Sequence, residues 1–242
     1  MSDRIVLYDT QGSPCARRVR IVLLEKGLEW ETRIVDLTKM EQKRPEYLAL
    51  NPNGVVPTLV HGDRVIYESN VITEYLDEVF PVPGVYPRNP WQRAQAKMWQ
   101  AFELAMAKEF RPLMYLRVIG PYDRLRPKEE VMAEVRRSTS DTAHIDWVSR
   151  VYDGSAVSED EAALLSAQLY QRLDHLERAL SDREFLVGDQ FSIADLSVYP
   201  RVAMYPLVQL PIESEGYPNL IRWMAQISER PSFRRSESVR PA

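Results

Sequence analysis

A cluster of prolines divides the 242-residue chain into two parts with different sequence patterns. Three prolines and one glycine fall within residues 81–87, a composition that interrupts both helices and strands. Short apolar strands alternate with helical segments before this stretch, and only helical periodicity follows it. We therefore predict a first domain at residues 1–81, a linker at 82–92 and a second domain at 93–242.

The first part has the pattern of a compact α/β domain. An apolar run at residues 5–8 predicts a buried strand, and the turn after it leads into a helix that ends near Gly27, where a left-handed cap is expected. The predicted order is βαβ, a helix-like segment, and then ββα, the last helix being capped by Ser69. The further strands and helices are expected at residues 32–35, 39–50, 57–61, 64–67 and 69–79.

The second part has the periodicity of a helical bundle. An apolar stripe predicts its first long helix, which Pro112 is expected to kink or end. Capping boxes at Ser158 and Ser192 each precede a further apolar helix. Residues 136–154 fit no regular element and are expected to form a loop insertion. The stripe of the first long helix consists of Ala94, Met98, Phe102 and Ala105.

Composition excludes several classes of function. A formal net charge of -4 and a pI near 5.6 argue against binding to nucleic acid or to anionic lipid. One cysteine cannot form an internal disulfide, and three histidines without ligand spacing do not indicate a metal site. No signal peptide and no run of about 18 apolar residues is present in the sequence. We expect a cytoplasmic protein without a bound metal.

The turn between the first strand and the first helix is one candidate site. Ser13 precedes Pro14, which is a favoured pair at a helix start, so Ser13 could serve only as a cap. Ligands, however, gather at the carboxyl ends of such strands, near helix N-termini that favour negative charge. A serine hydroxyl at this place can donate a hydrogen bond to a thiolate. Cys15 falls in the first helical turn, where a thiol can be reactive, although buried cysteines are usually inert.

Two further motifs suit a peptide-like ligand. Glu68 and Ser69, at a helix start, offer a carboxylate for an ammonium group and amide donors for a carboxylate. An amino-acid zwitterion needs both partners. If the bond between Val56 and Pro57 is cis, the preceding backbone can pair with an extended ligand. Each motif also has a purely structural interpretation as a cap or as the start of a strand.

Together, these motifs resemble the glutathione transferase superfamily. The matches are Ser13-Pro14-Cys15 before a helix, Asn51-Pro52 before Val56-Pro57, Glu68-Ser69 before Ile72 and Glu74-Tyr75-Leu76, residues 185–189 with 192–195, and residues 217–220 with Trp223 and Arg230-Pro231. The resemblance implies a thioredoxin-like domain with a mixed four-stranded sheet, followed by an all-α helical bundle. It also implies glutathione as co-substrate, a hydrophobic electrophile as second substrate, a role in detoxification, and a homodimer.

The resemblance assigns roles to individual residues. Ser13 matches the serine that stabilises the glutathione thiolate, and the backbone of Val56 matches the segment that pairs with the cysteinyl part. Pro57 matches the cis-proline of the family, and Glu68 and Ser69 match the residues that hold the γ-glutamyl end. Further contacts to the tripeptide are expected from Gln42 and Asn53.

The electrophile pocket is expected between residues 8–12 and the first long helix of the second domain. Each of its candidate residues could equally be ordinary helical core. The candidates are Tyr8, Gln11, Phe102, Met106 and Tyr115, with Trp147 and Tyr205 behind them.

Four functions remain open, and conjugation of glutathione to an electrophile leads. The second is a glutathione-dependent isomerase or β-etherase: Pro14-Cys15 resembles zeta-class isomerases, and residues 39–42 and 71–81 are similar to bacterial β-etherases. Residues 124–157 fit neither group. Cys15 could instead be the nucleophile of a thiol transferase or dehydroascorbate reductase. A non-catalytic binding protein of the same fold is the fourth hypothesis, which an intact Ser13 disfavours.

Overall fold

A four-stranded sheet forms the centre of the first part, in the computed structural model that describes residues 4–238. The strand order is β2-β1-β3-β4, with β1 and β2 parallel and the other two pairs antiparallel. This confirms the predicted mixed sheet. The strands are β1 (Ile5–Asp9), β2 (Glu31–Ile34), β3 (Thr58–His61) and β4 (Arg64–Tyr67).

Helices cover both faces of the sheet. The described helices of this part are α1 (Pro14–Glu25), a 3-10 turn (Glu41–Lys43), α2 (Pro45–Leu48) and α3 (Ser69–Val79). Because side chains alternate along β1, Asp9 faces α1, where it pairs with Arg20 at 2.6 Å, and Tyr8 faces the opposite side. There the Tyr8 ring meets Tyr47 of α2 edge to face, with centroids 5.8 Å apart.

Local signals place the turns of this part as predicted. Gly27 adopts a φ of +63° directly after the end of α1, and Gly62 adopts the same value in the β3–β4 hairpin. The Val56–Pro57 peptide bond is cis, as the family resemblance implied. Strand β3 begins one residue later, at Thr58, since proline has no N–H to donate to the ladder.

Helices make up the second part. They are α4 (Pro90–Met114), a π-helix (Tyr115–Ile119), α5 (Gly120–Asp123), α6 (Lys128–Ser138), α7 (Thr142–Asp153), α8 (Glu159–Ala179), α9 (Ile193–Val202), a 3-10 turn (Tyr205–Val208), α10 (Pro218–Ser228) and α11 (Pro231–Arg235). Pro112 therefore lies inside α4, two residues before its end. No helix within residues 4–238 is long and apolar enough to cross a bilayer.

The expected loop insertion at residues 136–154 is wrong, because α7 occupies most of it and α6 extends into it. Asp141 caps α7 by accepting hydrogen bonds from the backbone N–H groups of Ala143 at 3.0 Å and His144 at 3.2 Å. Gly154, with a φ of +75°, ends the helix. Both caps are local signals that were available in the sequence.

The proline-rich connection is held against the first part. Helix α3 ends at Val79 and α4 begins at Pro90, so the first turn of α4 falls within the predicted linker. The buried Lys26 ammonium binds the Asp77 carboxylate at 2.7 Å and the carbonyl oxygens of Phe80 at 2.7 Å and Pro83 at 2.8 Å. The division into domains stays a prediction.

Helix α4 buries a different face from the one predicted. Ala94 and Met98 of the predicted stripe are exposed. The buried positions of α4 include two polar residues, and these broke the apolar pattern from which the stripe was inferred. They are Ala96, Gln100, Glu103, Met106, Ala107, Phe110 and Leu113.

Candidate functional site

Ser13 caps α1 at the carboxyl end of β1. Its φ and ψ are -90° and 115°, and its Oγ accepts a hydrogen bond from the backbone N–H of Ala16 at 3.2 Å. This confirms the predicted cap. The side chain is half-buried, and its hydroxyl hydrogen is not used in the capping bond. Ser13 can therefore donate to an anion placed at the positive end of the helix dipole.

Cys15 is the second residue of α1 and is half-buried. The Nη2 atom of Arg201, on α9, donates a hydrogen bond to its Sγ at 3.8 Å. A cation from the second part of the chain thus reaches the first turn of the helix that Ser13 caps.

A buried ion cluster joins the two parts beside this turn. It consists of Arg18 on α1, Glu103 on α4 and Arg201 on α9, which are 0%, 0% and 7% exposed. Arg18 binds one oxygen of Glu103, and Arg201 binds the other through Nη2 at 2.9 Å and Nε at 3.0 Å. Burial would raise the pKa of the Glu103 carboxyl, but the attraction of Arg18 and Arg201 outweighs it and lowers that pKa.

Arg18 also extends this cluster to the start of α3. Its Nη1 donates to the Ser69 Oγ at 3.2 Å and to the Asn70 side-chain oxygen, which also accepts from Gln100 at 3.2 Å. Ser69 was predicted as the cap of α3, and that prediction is wrong. Ser69 is the first helical residue, and the cap position belongs to Glu68, because the Ser69 hydroxyl faces Arg18 inside the protein.

Two of the predicted ligand-binding residues lie together near the start of α3. The Asn53 amide donates to the exposed Glu68 carboxylate at 2.9 Å, and the Lys43 ammonium lies 3.5 Å from the Asn53 carbonyl oxygen. Glu68 has a φ of 67°, a left-handed conformation that costs free energy for a residue with a side chain. The fold therefore holds this carboxylate in a strained backbone position at the protein surface.

Gln42 has an unused acceptor near the same surface. Its amide nitrogen contacts the Met40 sulfur at 3.7 Å, whereas its Oε1 is buried without a hydrogen-bond partner among residues 4–238. A buried acceptor without a partner is costly, so it is a position where a ligand donor would be favourable.

The loop before β3 leaves one residue free to pair. The Val55 carbonyl oxygen accepts from the Tyr47 hydroxyl and the Asn51 amide, each at 2.8 Å. Neither the N–H nor the carbonyl of Val56 has a hydrogen-bond partner within the part of the chain that the structure describes. Val56 thus has the free donor and acceptor that an extended peptide would require.

Three predicted members of the electrophile pocket lie elsewhere. The Tyr8 hydroxyl accepts from Arg33 at 2.8 Å on the sheet face opposite α1. Met106 is fully buried in the core. Phe102 points toward α8, where its ring contacts His175 at 5.3 Å and Arg172 lies over it. Both α4 residues were misplaced because the buried face of that helix was misassigned.

The other pocket candidates lie in the turn before α1, on the π-helix and in the core. Gln11 lies in the turn before α1 and donates to the Glu237 carbonyl oxygen. Tyr115 opens the π-helix and meets Trp147 of α7 edge to face at 5.6 Å. Single-turn π-helices are frequent at functional sites. Tyr205, expected behind the pocket, is fully buried and contacts the core ring of Phe110 at 5.7 Å.

The sequence interpretation missed the ion cluster. No role was predicted for Arg18, Glu103 or Arg201. One signal was available: charged residues occur at core spacing within otherwise apolar helices, and such residues are buried only when they are paired. Within residues 4–238, no group of three or more His, Cys, Asp or Glu side chains is arranged to hold a metal ion.

Comparison with known families identifies matches in both parts of the chain. Residues 12–79 match the model of the glutathione S-transferase N-terminal domain, and residues 139–231 match that of the glutathione S-transferase C-terminal domain. The two matches lie on either side of the proline-rich connection.

Individual proteins match over nearly the full length. A zeta-class glutathione S-transferase of Euphorbia esula is 31% identical over 231 residues, covering 95% of this chain and 88% of that protein. A probable maleylacetoacetate isomerase of Vibrio cholerae is 29% identical, covering 95% and 93%. The crystal structure of the β-etherase LigF from Sphingobium sp. strain SYK-6 superposes with a TM-score of 0.83 at 24% identity, covering 96% and 98%.

Proposed function

The chain belongs to the glutathione S-transferase family, and we propose that it holds glutathione as a thiolate at the start of α1 for attack on a hydrophobic electrophile. The main support for this proposal is Ser13, which is half-buried, caps α1 and keeps its hydroxyl hydrogen available. The protein is a glutathione-dependent enzyme. Its electrophile and the role of each residue are our proposals.

One hydrogen bond and a helix N-terminus can together supply the free energy needed to ionise the glutathione thiol. A free thiol with a pKa of about 8.5 is only a few per cent ionised near neutral pH. Lowering that pKa by about 2 units requires roughly 2.7 kcal/mol. A hydrogen bond to an anion supplies about 1.5–3 kcal/mol, and the helix N-terminus adds up to about 1 kcal/mol. No general base is required.

The rest of the tripeptide has matching partners nearby. The Glu68 carboxylate suits the γ-glutamyl ammonium, and the amides at the start of α3 suit its carboxylate. The unpaired Val56 backbone suits the cysteinyl residue. Asn53 and the unpartnered Gln42 Oε1 remain for the other peptide groups.

Calorimetry with glutathione tests this placement. We expect binding by the wild-type protein and a loss of about tenfold in affinity for Glu68→Ala, because a charge-assisted pair is removed. Glu78→Ala is the matched control, since Glu78 lies near the other end of the helix that follows Glu68 and its side chain is 67% exposed. Equal losses in both variants, or no loss in Glu68→Ala, would place the tripeptide elsewhere.

The second substrate is proposed to be apolar and aromatic. Support comes from the edge-to-face pair of Tyr115 and Trp147 at the π-helix that follows α4. Glutathione-dependent turnover of epoxides, aryl halides, aryl ethers, maleyl compounds and disulfides would identify the class. Replacing Trp147 by alanine should raise KM for the best substrate while leaving glutathione affinity unchanged.

A glutathione-dependent isomerase is the second candidate. The relative from Vibrio cholerae supports it, as do Pro14 and Cys15 after the serine. Isomerisation needs the same bound thiolate, which adds to the substrate and leaves again. Turnover of a maleyl compound without net consumption of glutathione would favour it over conjugation.

We also infer a cytoplasmic homodimer that serves in detoxification. A cytoplasmic location fits glutathione chemistry, since glutathione keeps that compartment reducing. Exposed apolar side chains occur on the edge strand β4 and on the helices α3 and α4; those on the helices include Val71, Trp91 and Met98, which are 53%, 67% and 65% exposed. Salt bridges from Lys97 and Arg93 to Glu74, at 2.8 Å and 3.1 Å, join α3 to α4 within this surface.

Light scattering after gel filtration tests the dimer. We expect the mass of two chains for the wild type and of one chain for Trp91→Glu combined with Met98→Glu, because buried charges oppose association. Leu164→Glu is the control, since Leu164 is 60% exposed and lies on α8, which carries none of these side chains. A wild-type monomer would refute the assembly.

A further inference from the structure

The ion cluster behind the first turn of α1 is not neutral. Arg18 and Arg201 contribute two positive charges, and Glu103 contributes one negative charge. Arg20 and Arg172 do not share the Glu103 carboxylate, because each has its own partner. Arg20 pairs with Asp9 at 2.6 Å, and Arg172 pairs with Glu109 at 3.0 Å. One guanidinium charge inside the domain interface therefore has no anionic partner in the cluster.

The α3 and α4 side chains that face the cluster are uncharged. From α3 they are the neutral Ser69 and Asn70, and from α4 the neutral Gln100. The Tyr86 phenol is also close, but burial raises its pKa, so it stays uncharged. On the other side lie the Phe110 ring, 5.6 Å from the Arg201 guanidinium, and the Cys15 sulfur.

Hydrogen bonding in the cluster is also incomplete. The Arg18 Nε and the Ser197 Oγ are buried without partners among residues 4–238. Arg18 and Ser197 are adjacent, since the Arg18 Nη2 lies 3.5 Å from the Ser197 carbonyl oxygen. Surplus positive charge in a site of low dielectric constant favours an anion at the nearest accessible position. That position is the first turn of α1, where Arg201 reaches the Cys15 sulfur.

We propose that Arg201, held in place by Glu103, is a positioning residue that stabilises a sulfur anion at the first turn of α1. This inference rests on the proposed function, because the anion is the thiolate of glutathione bound at Ser13, two residues before Cys15. Arg201 acts through its charge and approaches from the second part of the chain. The second domain thereby contributes to ionising the thiol as well as to binding the electrophile.

Charge variants in a Cys15→Ala background test the proposal, since that background removes the protein's own thiol. The titration of bound glutathione is followed by the ultraviolet absorbance of its thiolate. Arg201→Gln should raise the midpoint by about 0.5–1 pH unit, because one positive charge is lost. Arg201→Lys should stay within about 0.3 pH unit of the background protein, because it keeps the charge but loses the guanidinium geometry.

Glu103→Gln tests the direction in which the titration midpoint of bound glutathione moves. It removes the negative charge and leaves two guanidinium groups unbalanced, so the midpoint should fall. General damage to the fold would move every variant in the same direction, whereas a charge effect moves Arg201→Gln and Glu103→Gln in opposite directions. If Glu103→Gln does not fold, the pair Arg201→Gln and Arg201→Lys still separates charge from geometry.

The outcomes also separate this inference from the proposed function. If calorimetry detects no glutathione binding by the wild-type protein, the proposed function is wrong and this inference falls with it. If glutathione binds and the midpoints of Arg201→Gln and Arg201→Lys are the same, only this inference is overturned. A shift caused by Arg201→Gln when Cys15 is present, but absent in Cys15→Ala, would also overturn it, because the anion would then belong to Cys15.

Discussion

Helices α1 and α9 both begin at a serine, Ser13 and Ser192, and the surroundings of the two serines differ. Ser13 is half-buried, and its Oγ accepts one backbone hydrogen bond at 3.2 Å. Ser192 is buried, and its Oγ accepts from the Ala194 N–H at 3.3 Å. In return, the Asp195 carboxylate accepts from the Ser192 N–H at 2.9 Å, which completes a capping box.

Asp195 makes the α9 cap a structural centre of the second part. Its carboxylate also accepts from the Leu186 N–H at 3.0 Å and from the Trp223 indole at 2.8 Å. It thereby ties α9 to the preceding loop and to α10. The α1 cap has no such carboxylate, and its free hydroxyl donor faces an accessible turn. The same serine cap therefore serves stability where it is enclosed and is available for chemistry where it is open.

Removing the Asp195 carboxylate from the α9 cap should lower the stability of the protein more than any other change considered below. Asp195→Ala leaves the N–H groups of Leu186, Ser192 and Trp223 buried without an acceptor. Each unsatisfied donor costs about 1–3 kcal/mol, so the free energy of unfolding should fall by about 4 kcal/mol or more. Urea unfolding measures the change. A loss below about 1 kcal/mol would show that the enclosed cap is not a structural centre.

The next prediction concerns the pH dependence of the same carboxyl. Burial raises the pKa of Asp195 to about 6, against the hydrogen bonds from Leu186, Trp223 and Ser192 that favour its ionised form. The folded state therefore holds the proton more tightly than the unfolded state, in which the pKa is about 3.9. The associated stability is present below about pH 4 and is lost as the pH rises through about 6, a change of roughly 3 kcal/mol.

The test subtracts the unfolding free energy of Asp195→Asn from that of the wild type at each pH. The subtraction cancels the titration of the other carboxyl groups. The difference should fall as the pH rises from about 4 to about 7. Parallel curves would mean that this buried carboxyl titrates at its ordinary pKa.

Prediction from the sequence succeeded where the signal was local. The caps at Ser13 and Ser192 and the turn at Gly62 each depend on a few neighbouring residues, and the structure confirms them. The cis bond before Pro57 came from the family resemblance and is also confirmed. The thioredoxin-like and helical parts followed from the order of such elements together with the family resemblance.

Prediction failed where tertiary contacts override the pattern. The buried face of α4 passes through Gln100, which donates to Asn70 and Tyr86, and through Glu103, which pairs with Arg18 and Arg201 from other helices. No periodicity within α4 can reveal those partners. The error moved Phe102 and Met106 into the expected electrophile pocket and left the ion cluster unnoticed.

Loss of the Ser13 hydroxyl should lower activity with little change in stability, the reverse of what is expected for loss of the Asp195 carboxylate at the α9 cap. Ser13→Gly removes the hydroxyl but keeps a residue that helix starts accept, so unfolding should change by only a few tenths of a kcal/mol. Conjugation of an aryl halide should fall about a hundredfold in kcat/KM, equal to roughly 2.7 kcal/mol. Ser192→Gly is the matched control, and its kcat/KM should be unchanged. Retained activity in Ser13→Gly would show that the open cap takes no part in the chemistry.

Cys15→Ala should change activity least, which distinguishes the role of the Ser13 hydroxyl from that of the neighbouring thiol. Cys15 is half-buried and contacts Arg201, so its loss should change kcat/KM for an aryl halide by no more than about twofold, well below 1 kcal/mol. The thiol transferase hypothesis requires the opposite order, with Cys15→Ala inactive and Ser13→Gly active in the reduction of a mixed disulfide. Assaying both variants with both substrates decides which of the two side chains at the start of α1 acts on sulfur.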